Sequence, residues 1–276
     1  MASRREYATD EVRAARSVLI EVTHLLGEYR DQIVLVGGWV PEVLLSTSES
    51  PHVGSIDVDL ALNHRELQDQ AYARIQELLL AGGYEQGEQP YIFKRRVPIG
   101  TREITVEVDL VAGEYGGTGK GRRHQKIHGE GLARKARGCD LAFDIKPVDV
   151  PVEGELPGGG VDSVTVRVAS IVPFLVMKGM ALSERLKEKD AWDVYYVLQN
   201  CEGGLEALAA EFMPHRELGL VREGLQKIAA AFSSVNHVGP KSVADFEEID
   251  DPEERERVQR DAFERVRYLL NQMGVE

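Results

Sequence analysis

Cysteine is nearly missing from this chain, which has only Cys139 and Cys201 in 276 residues. Two thiols supply neither a disulfide framework nor a four-ligand metal site. Long apolar runs are missing as well. The stretch 33–45 is broken by Pro41 and Glu42, and 169–182 contains Lys178, so nothing approaches the ~18 apolar residues of a membrane span. No apolar run follows the basic pair Arg4-Arg5, which speaks against a secretory signal. Basic charge is in deficit: 33 Lys and Arg face 46 Asp and Glu, for a net charge of −13. That balance argues against a general nucleic-acid coat. A hydrophobic fraction of 43% excludes a disordered chain. What remains is a soluble protein, expected in the cytoplasm and without a membrane partner, long enough for one large domain or two smaller ones.

The charge is unevenly spread. Residues 118–137 hold seven Lys or Arg against the single acid Glu130, a local +6 that leaves −19 for the rest. Five glycines in residues 113–121 precede this segment. A second polar block, 245–261, has nine acids and three arginines and reads as the exposed face of helices.

The first half alternates helix and strand signals. Helical spacing covers 10–29 and 66–80, and 39–45 reads as a short helix with Pro41 in its first turn. Strands are expected at 33–36, 55–62, 91–96, 103–111, 141–152 and 161–168. From Ser170 onward the periodicity is helical: 171–186, 191–198, 205–212, 220–232 and 258–270. The expected organisation is α+β, with domain one over residues 1–168 and a helical C-terminal domain over 169–276.

The chemistry concentrates in residues 33–62. A strand ends in Gly37-Gly38, a short helix and a loop follow, and a second strand carries Asp57-Val58-Asp59. Residues two apart on a strand share a face, so Asp57 and Asp59 converge while Ile56, Val58 and Leu60 face the core. Paired carboxylates repel unless a cation joins them, and Mg²⁺ takes such ligands while leaving room for substrate phosphates. Asp109, the last acid on the polar face of strand 103–111, is placed to be the third ligand. The competing reading is the solvated face of an edge strand. Gly37 and Gly38 can present backbone N–H groups to a phosphate, or simply make a tight turn at positive φ.

Gly37-Gly38, Asp57-x-Asp59 and the later Asp109 resemble the DNA polymerase β-type nucleotidyltransferase superfamily. The run from Lys178 through Ala181-Leu182 to Arg185, then Lys189-Asp190 and Asp193, is similar to the K-x-x-A-L-x-x-R and (K/R)-D-x-x-D signatures of AbiEii-type toxin nucleotidyltransferases. Together they cover about residues 33–198. Two departures stand out: the family's frequent Ser after the first glycine is Gly38 here, and 18 residues separate Gly38 from Asp57.

The resemblance implies a polymerase β-like core with a mixed sheet. It implies transfer of a nucleoside monophosphate from an NTP to an acceptor hydroxyl, with two Mg²⁺ ions held by Asp57, Asp59 and Asp109. Asp109 would also help deprotonate the acceptor. Gly37 and Gly38 would contact the NTP, Lys178 would neutralise its triphosphate, and Asp190 would hold Lys178 or touch substrate. It further implies a toxin–antitoxin or phage-defence setting with a cognate antitoxin, and leaves the acceptor open between tRNA or other RNA, a protein and a small molecule.

On spacing alone, Lys178 and Arg185 share a helix face, and Lys178 has apolar neighbours that a solvated stripe would lack. Asp193 reads as a helix-start acid with a structural role. Lys120, Arg122, Arg123 and Lys126 form a cationic loop able to hold an RNA backbone, a triphosphate or an acidic partner; a purely solvated loop is the bland alternative. Within the same fold, a small-molecule transferase and a non-catalytic binding module are the rivals.

Overall fold

The computed structural model describes every residue except 1, 2, 8, 49, 68, 115–123, 127–131, 186 and 276. The chain forms two compact units: Thr9–Leu44 with Val53–Ser170, and Ile171–Glu276 with Met1–Ala8 and Leu45–His52.

The first unit is built on a mixed sheet. Its strands are β1 (Ile33–Val36), β2 (Asp57–Leu62), β3 (Glu85–Gln86), β4 (Ile92–Ile99), β5 (Arg102–Ala112), β6 (His124–Lys126), β7 (Leu132–Lys135), β8 (Val148–Glu155) and β9 (Val161–Val168). Their order is β3-β4-β5-β2-β1-β9-β8, with β7 beside the end of β5 and β6 beside β7. β1 runs antiparallel to β2 and parallel to β9, while β2 and β5 are parallel. All four residues of β1 are buried, as its uninterrupted apolar sequence requires of a strand covered on both faces. β5 alternates as its sequence predicts: Ile104, Val106, Val108 and Leu110 are buried, whereas Thr105 and Glu107 are exposed. Helix α1 (Asp10–Leu25) buries Ala14, Ala15, Val18, Leu19 and Val22, one stripe at helical period, and packs against β5, β8 and β9. The unit also contains α2 (Val40–Leu44), α3 (Asp69–Ala81) and α4 (Leu141–Asp144).

Three details differ from the sequence reading. The strand expected over 141–152 begins only at Val148, because 141–144 closes a helical turn in which Ile145 N–H donates to the Leu141 carbonyl. Ile56, expected in the core, is 45% exposed because β2 starts one residue after it. Residues 132–135, expected within a basic loop, form a strand against β5.

The second unit is helical: α5 (Ile171–Glu184), α6 (Glu188–Asn200), α7 (Gly204–Phe212), α8 (Gly219–Ala231), α9 (Val238–Phe246) and α10 (Pro252–Met273). α5 and α8 cross backbone to backbone, where a Cβ at Gly179 would come within 2.2 Å of the Gly224 carbonyl oxygen. α10 starts at a cap made by Asp251, whose carboxylate accepts from Glu254 N–H, with Pro252 in the first turn. Residues 1–8 and 45–52, read from sequence as part of the first domain, belong with these helices. Ser48 Oγ donates to Asn200 Oδ1 at 2.7 Å, Tyr196 Oη donates to the Ser50 carbonyl at 2.8 Å, and the Tyr7 ring packs on Phe246. Their partners lie far along the chain, so no local pattern announces them.

Candidate active site

The α/β unit gathers a carboxylate cluster on adjacent strands. Strand register sets Asp59 of β2 directly beside Asp109 of β5, and Val36 of β1 on the other side of Asp59. β1 then turns at Gly37, whose φ of +74° suits glycine alone. A Cβ there would lie 2.1 Å from Asp59 Oδ2, so the carboxylate rests on the bare Cα of Gly37. Gly38 is buried. Asp57 is exposed at the start of β2. It is held from two directions: Ser55 Oγ donates to its Oδ1 at 2.5 Å, and Trp39 Nε1 donates to its backbone carbonyl at 2.7 Å.

Arg134, on β7, bridges two of these acids. Its Nε donates to Asp109 Oδ2 at 2.5 Å and its Nη2 to Asp59 Oδ1 at 3.0 Å. The pairing of Val111 with Arg134 across β5 and β7 brings the side chain to this place. The second oxygen of Asp109, Oδ1, is buried without a hydrogen-bond partner. Burial pushes the Asp109 carboxyl upward, and although Arg134 pulls it back, the charge on Asp59 adds to the rise, leaving it at about 7.

These donors suit a hard divalent cation: all are carboxylate oxygens, and the orphaned Asp109 Oδ1 is a buried acceptor still lacking a donor or an ion. Among the described residues no three His, Cys, Asp or Glu side chains are drawn together closely enough to hold a metal. Asp59 and Asp109 share a guanidinium instead, while Asp57 is engaged by Ser55.

The helical unit contains a second charged group, deeply buried. Lys178 Nζ lies 2.7 Å from Asp190 Oδ1 and 2.6 Å from Asp193 Oδ2. Lys189 Nζ reaches Asp193 Oδ1 at 2.8 Å, and Arg185 Nε reaches Asp190 Oδ2 at 2.9 Å. His52 Nε2 is 2.9 Å from Asp193 Oδ1 and its ring packs against both Trp192 and Tyr196. Burial disfavours charge on Lys178, but Asp190 and Asp193 outweigh it and hold the ammonium above its ordinary range. For Lys189 burial prevails over Asp193 and lowers the value. Burial also dominates at His52, which falls to about 4 with help from Lys189 and against Asp193. Neutral His52 therefore donates its Nε2–H to Asp193. Asp193 itself is held far below the carboxylate range, since Lys178 and Lys189 overcome its burial.

Of the residues singled out from sequence, Asp59 and Asp109 meet across the strands, with Gly37 against Asp59. Asp57 begins the same strand, and Lys178 pairs with Asp190. Lys120, Arg122 and Arg123 lie outside the described residues, as does the side chain of Lys126. Sequence reading assigned no individual role to Arg134, His52 or Lys189. Arg134 was one of seven cations in a charged segment, and nothing in its spacing singles it out. Lys189 did carry a signal, standing in the (K/R)-D-x-x-D signature.

Residues 24–270 match the family described as Nucleotidyl transferase AbiEii toxin, Type IV TA system. Comparison with curated protein sequences finds no match. Among solved structures, JHP933 from Helicobacter pylori aligns at 13% identity with a TM-score of 0.45, covering 96% of this chain and 94% of its own. MenT4, a nucleotidyltransferase toxin from Mycobacterium tuberculosis H37Rv, aligns at 14% identity with a TM-score of 0.43, covering 99% of each chain. No helix among the described residues is long and apolar enough to cross a membrane. The family match spans most of the chain and both charged groups, so this protein belongs to the AbiEii family of toxin nucleotidyltransferases.

Proposed function

We propose that the enzyme transfers a nucleoside monophosphate from an NTP to an acceptor hydroxyl, releasing pyrophosphate, with divalent metal ions, Mg²⁺ in the cell, held by Asp57, Asp59 and Asp109. The observation that carries this reading is the register of Asp59 beside Asp109, with a buried Asp109 oxygen left without a partner. When bound, the metal supplies charge neutralisation of the polyphosphate and of the attacking oxygen.

The chain's own groups do the rest. Gly37 and Gly38, at the end of β1 beside Asp59, are assigned the backbone contact with the NTP. Asp109 would also help take the proton from the acceptor hydroxyl. Lys178, Lys189 and Arg185 outnumber Asp190 and Asp193 by one charge while His52 is neutral. That surplus supports a role for Lys178 in attracting the triphosphate, with Asp190 fixing its ammonium. The acceptor we favour is RNA, tRNA included, because residues 118–137 concentrate +6 in an otherwise acidic chain. As a member of a toxin family, the enzyme is expected to have a cognate antitoxin.

The test is incubation of the protein with each α-labelled NTP, Mg²⁺ and total RNA. Wild type labels RNA in one nucleotide channel, and Asp57→Ala lowers labelling about a thousandfold or more. Equal labelling by both proteins overturns the assignment. Labelling of wild type that survives chelation of divalent ions overturns the metal dependence.

A further inference from the structure

Arg134 holds a place in this site that none of the sequence motifs assigns. Two carboxylates side by side on neighbouring strands, both largely withdrawn from water, repel strongly unless a cation lies between them. Among the described residues the Arg134 guanidinium is such a cation, spending one N–H on each acid. On Asp59 the oxygen turned away from Gly37 is Oδ1, the one Arg134 holds. A divalent ion between Asp59 and Asp109 brings positive charge beside the guanidinium even if it uses the unpartnered Asp109 Oδ1, so the ion and the guanidinium compete. The Arg134 side chain is 37% exposed, against 16% for Asp109 and 18% for Asp59, so it is the member with a route to solvent. A displaced guanidinium has a natural next partner, because its planar fork matches phosphate oxygens as well as it matches carboxylates.

We propose that Arg134 is the resident counter-cation of the transfer centre: it holds Asp59 and Asp109 until a metal ion arrives with the nucleotide, then turns to the polyphosphate that the metal accompanies. This deepens the metal-dependent reading above and rests on it. Its consequence is an ordering of binding. Metal alone must compete with a tethered arginine, whereas metal with nucleotide offers that arginine a new partner.

The experiment uses the full chain as wild type, Arg134→Gln and Arg134→Lys. Mn²⁺ affinity is read from the free-ion EPR signal, and metal-induced thermal shift is measured in parallel, with and without a non-hydrolysable NTP analogue. Without nucleotide, Arg134→Gln binds Mn²⁺ about tenfold more tightly than wild type, the factor expected when a competitor holding the site nine-tenths of the time is removed. Its melting temperature also rises more on adding Mn²⁺. With the analogue present the order reverses, because the variant has lost a phosphate contact, and nucleotide affinity falls about tenfold. Arg134→Lys, which keeps the charge without the fork, lies between the two. If Arg134→Gln fails to fold, the same comparison is made with Arg134→Lys. Equal Mn²⁺ affinity and equal thermal shift in wild type and the folded variant overturn the proposal and leave the metal-dependent reading standing. Absence of Mn²⁺ binding to every protein, even with the analogue, overturns both.

Discussion

The two charged groups of this protein are built from the same side-chain types to opposite ends. In the α/β unit, Asp59 and Asp109 share a partly exposed arginine, and one Asp109 oxygen is left buried without a partner. In the helical unit, Asp193 is fully buried and meets Lys178, Lys189 and His52, and Asp190 meets Lys178 and Arg185. Among the described residues the first group is short of counter-charge, and burial with the neighbouring Asp59 charge lifts the Asp109 carboxyl to about 7 against the pull of Arg134. The second pairs both of its acids and keeps one cation in surplus, and its acids sit below the ordinary carboxylate range because Lys178, Lys189 and Arg185 outweigh their burial. An acid short of counter-charge is ready to accept a cation. A paired acid fixes geometry, here tying residues 45–52 to α6 through His52.

The contrast can be broken most decisively through Asp193. Asp193→Ala leaves two lysines buried with diminished compensation and should cost about 3–5 kcal/mol, read by urea unfolding followed by far-UV circular dichroism. A loss below about 1 kcal/mol would mean that the group is hydrated and adaptable, and the distinction would fall. Next in size is the acid response. His52 titrates near 6.5 when unfolded and about 4 when folded, so its stabilising effect is complete above pH 6.5 and is lost as pH falls through about 4. Stability of the helical unit should decline by about 2–3 kcal/mol across that window, and His52→Gln should flatten the decline. An unchanged slope in the variant would show that another group carries it. Gly37→Ala tests the first group with a smaller thermodynamic effect. Positive φ costs the alanine about 1–2 kcal/mol, while its methyl displaces Asp59. Activity should therefore fall far more than stability does, a split measured by labelling assay and thermal unfolding on the same preparation. Equal fractional losses would assign Gly37 to folding alone.

Much of the fold was legible because it rests on local pattern. The alternation in β5, the apolar run of β1, strand β9 and the helical stripes of α1, α5, α7 and α8 all follow from period. The misreadings arose where period was ambiguous or the partner remote. Leu141, Ala142 and Phe143 suit a strand or a helical turn equally, and the turn after Gly138, at φ +85°, decides between them. The β7 strand hides among cations because its reason for existing is the end of β5 beyond its pairing with β4, twenty or more residues earlier. In the site, Gly37, Asp59 and Asp109 could be named because type and spacing suffice for them. Asp193 was read as a helix-start acid, and only its three buried partners show how much it holds.

By itself the sequence determined which residue types stand together at short range: acids two apart on one strand, lysine on an apolar helix face, glycines at the turn that ends a strand. It also determined the family, through motifs that fit within single elements. Tertiary structure alone decided which counter-charge each acid receives. Arg134 lies 25 positions from the Asp109 it holds, and His52 lies 141 from Asp193. Coulomb attraction depends on distance in space and on burial, and neither is written in the spacing of a chain until its strands have registered and its helices have packed.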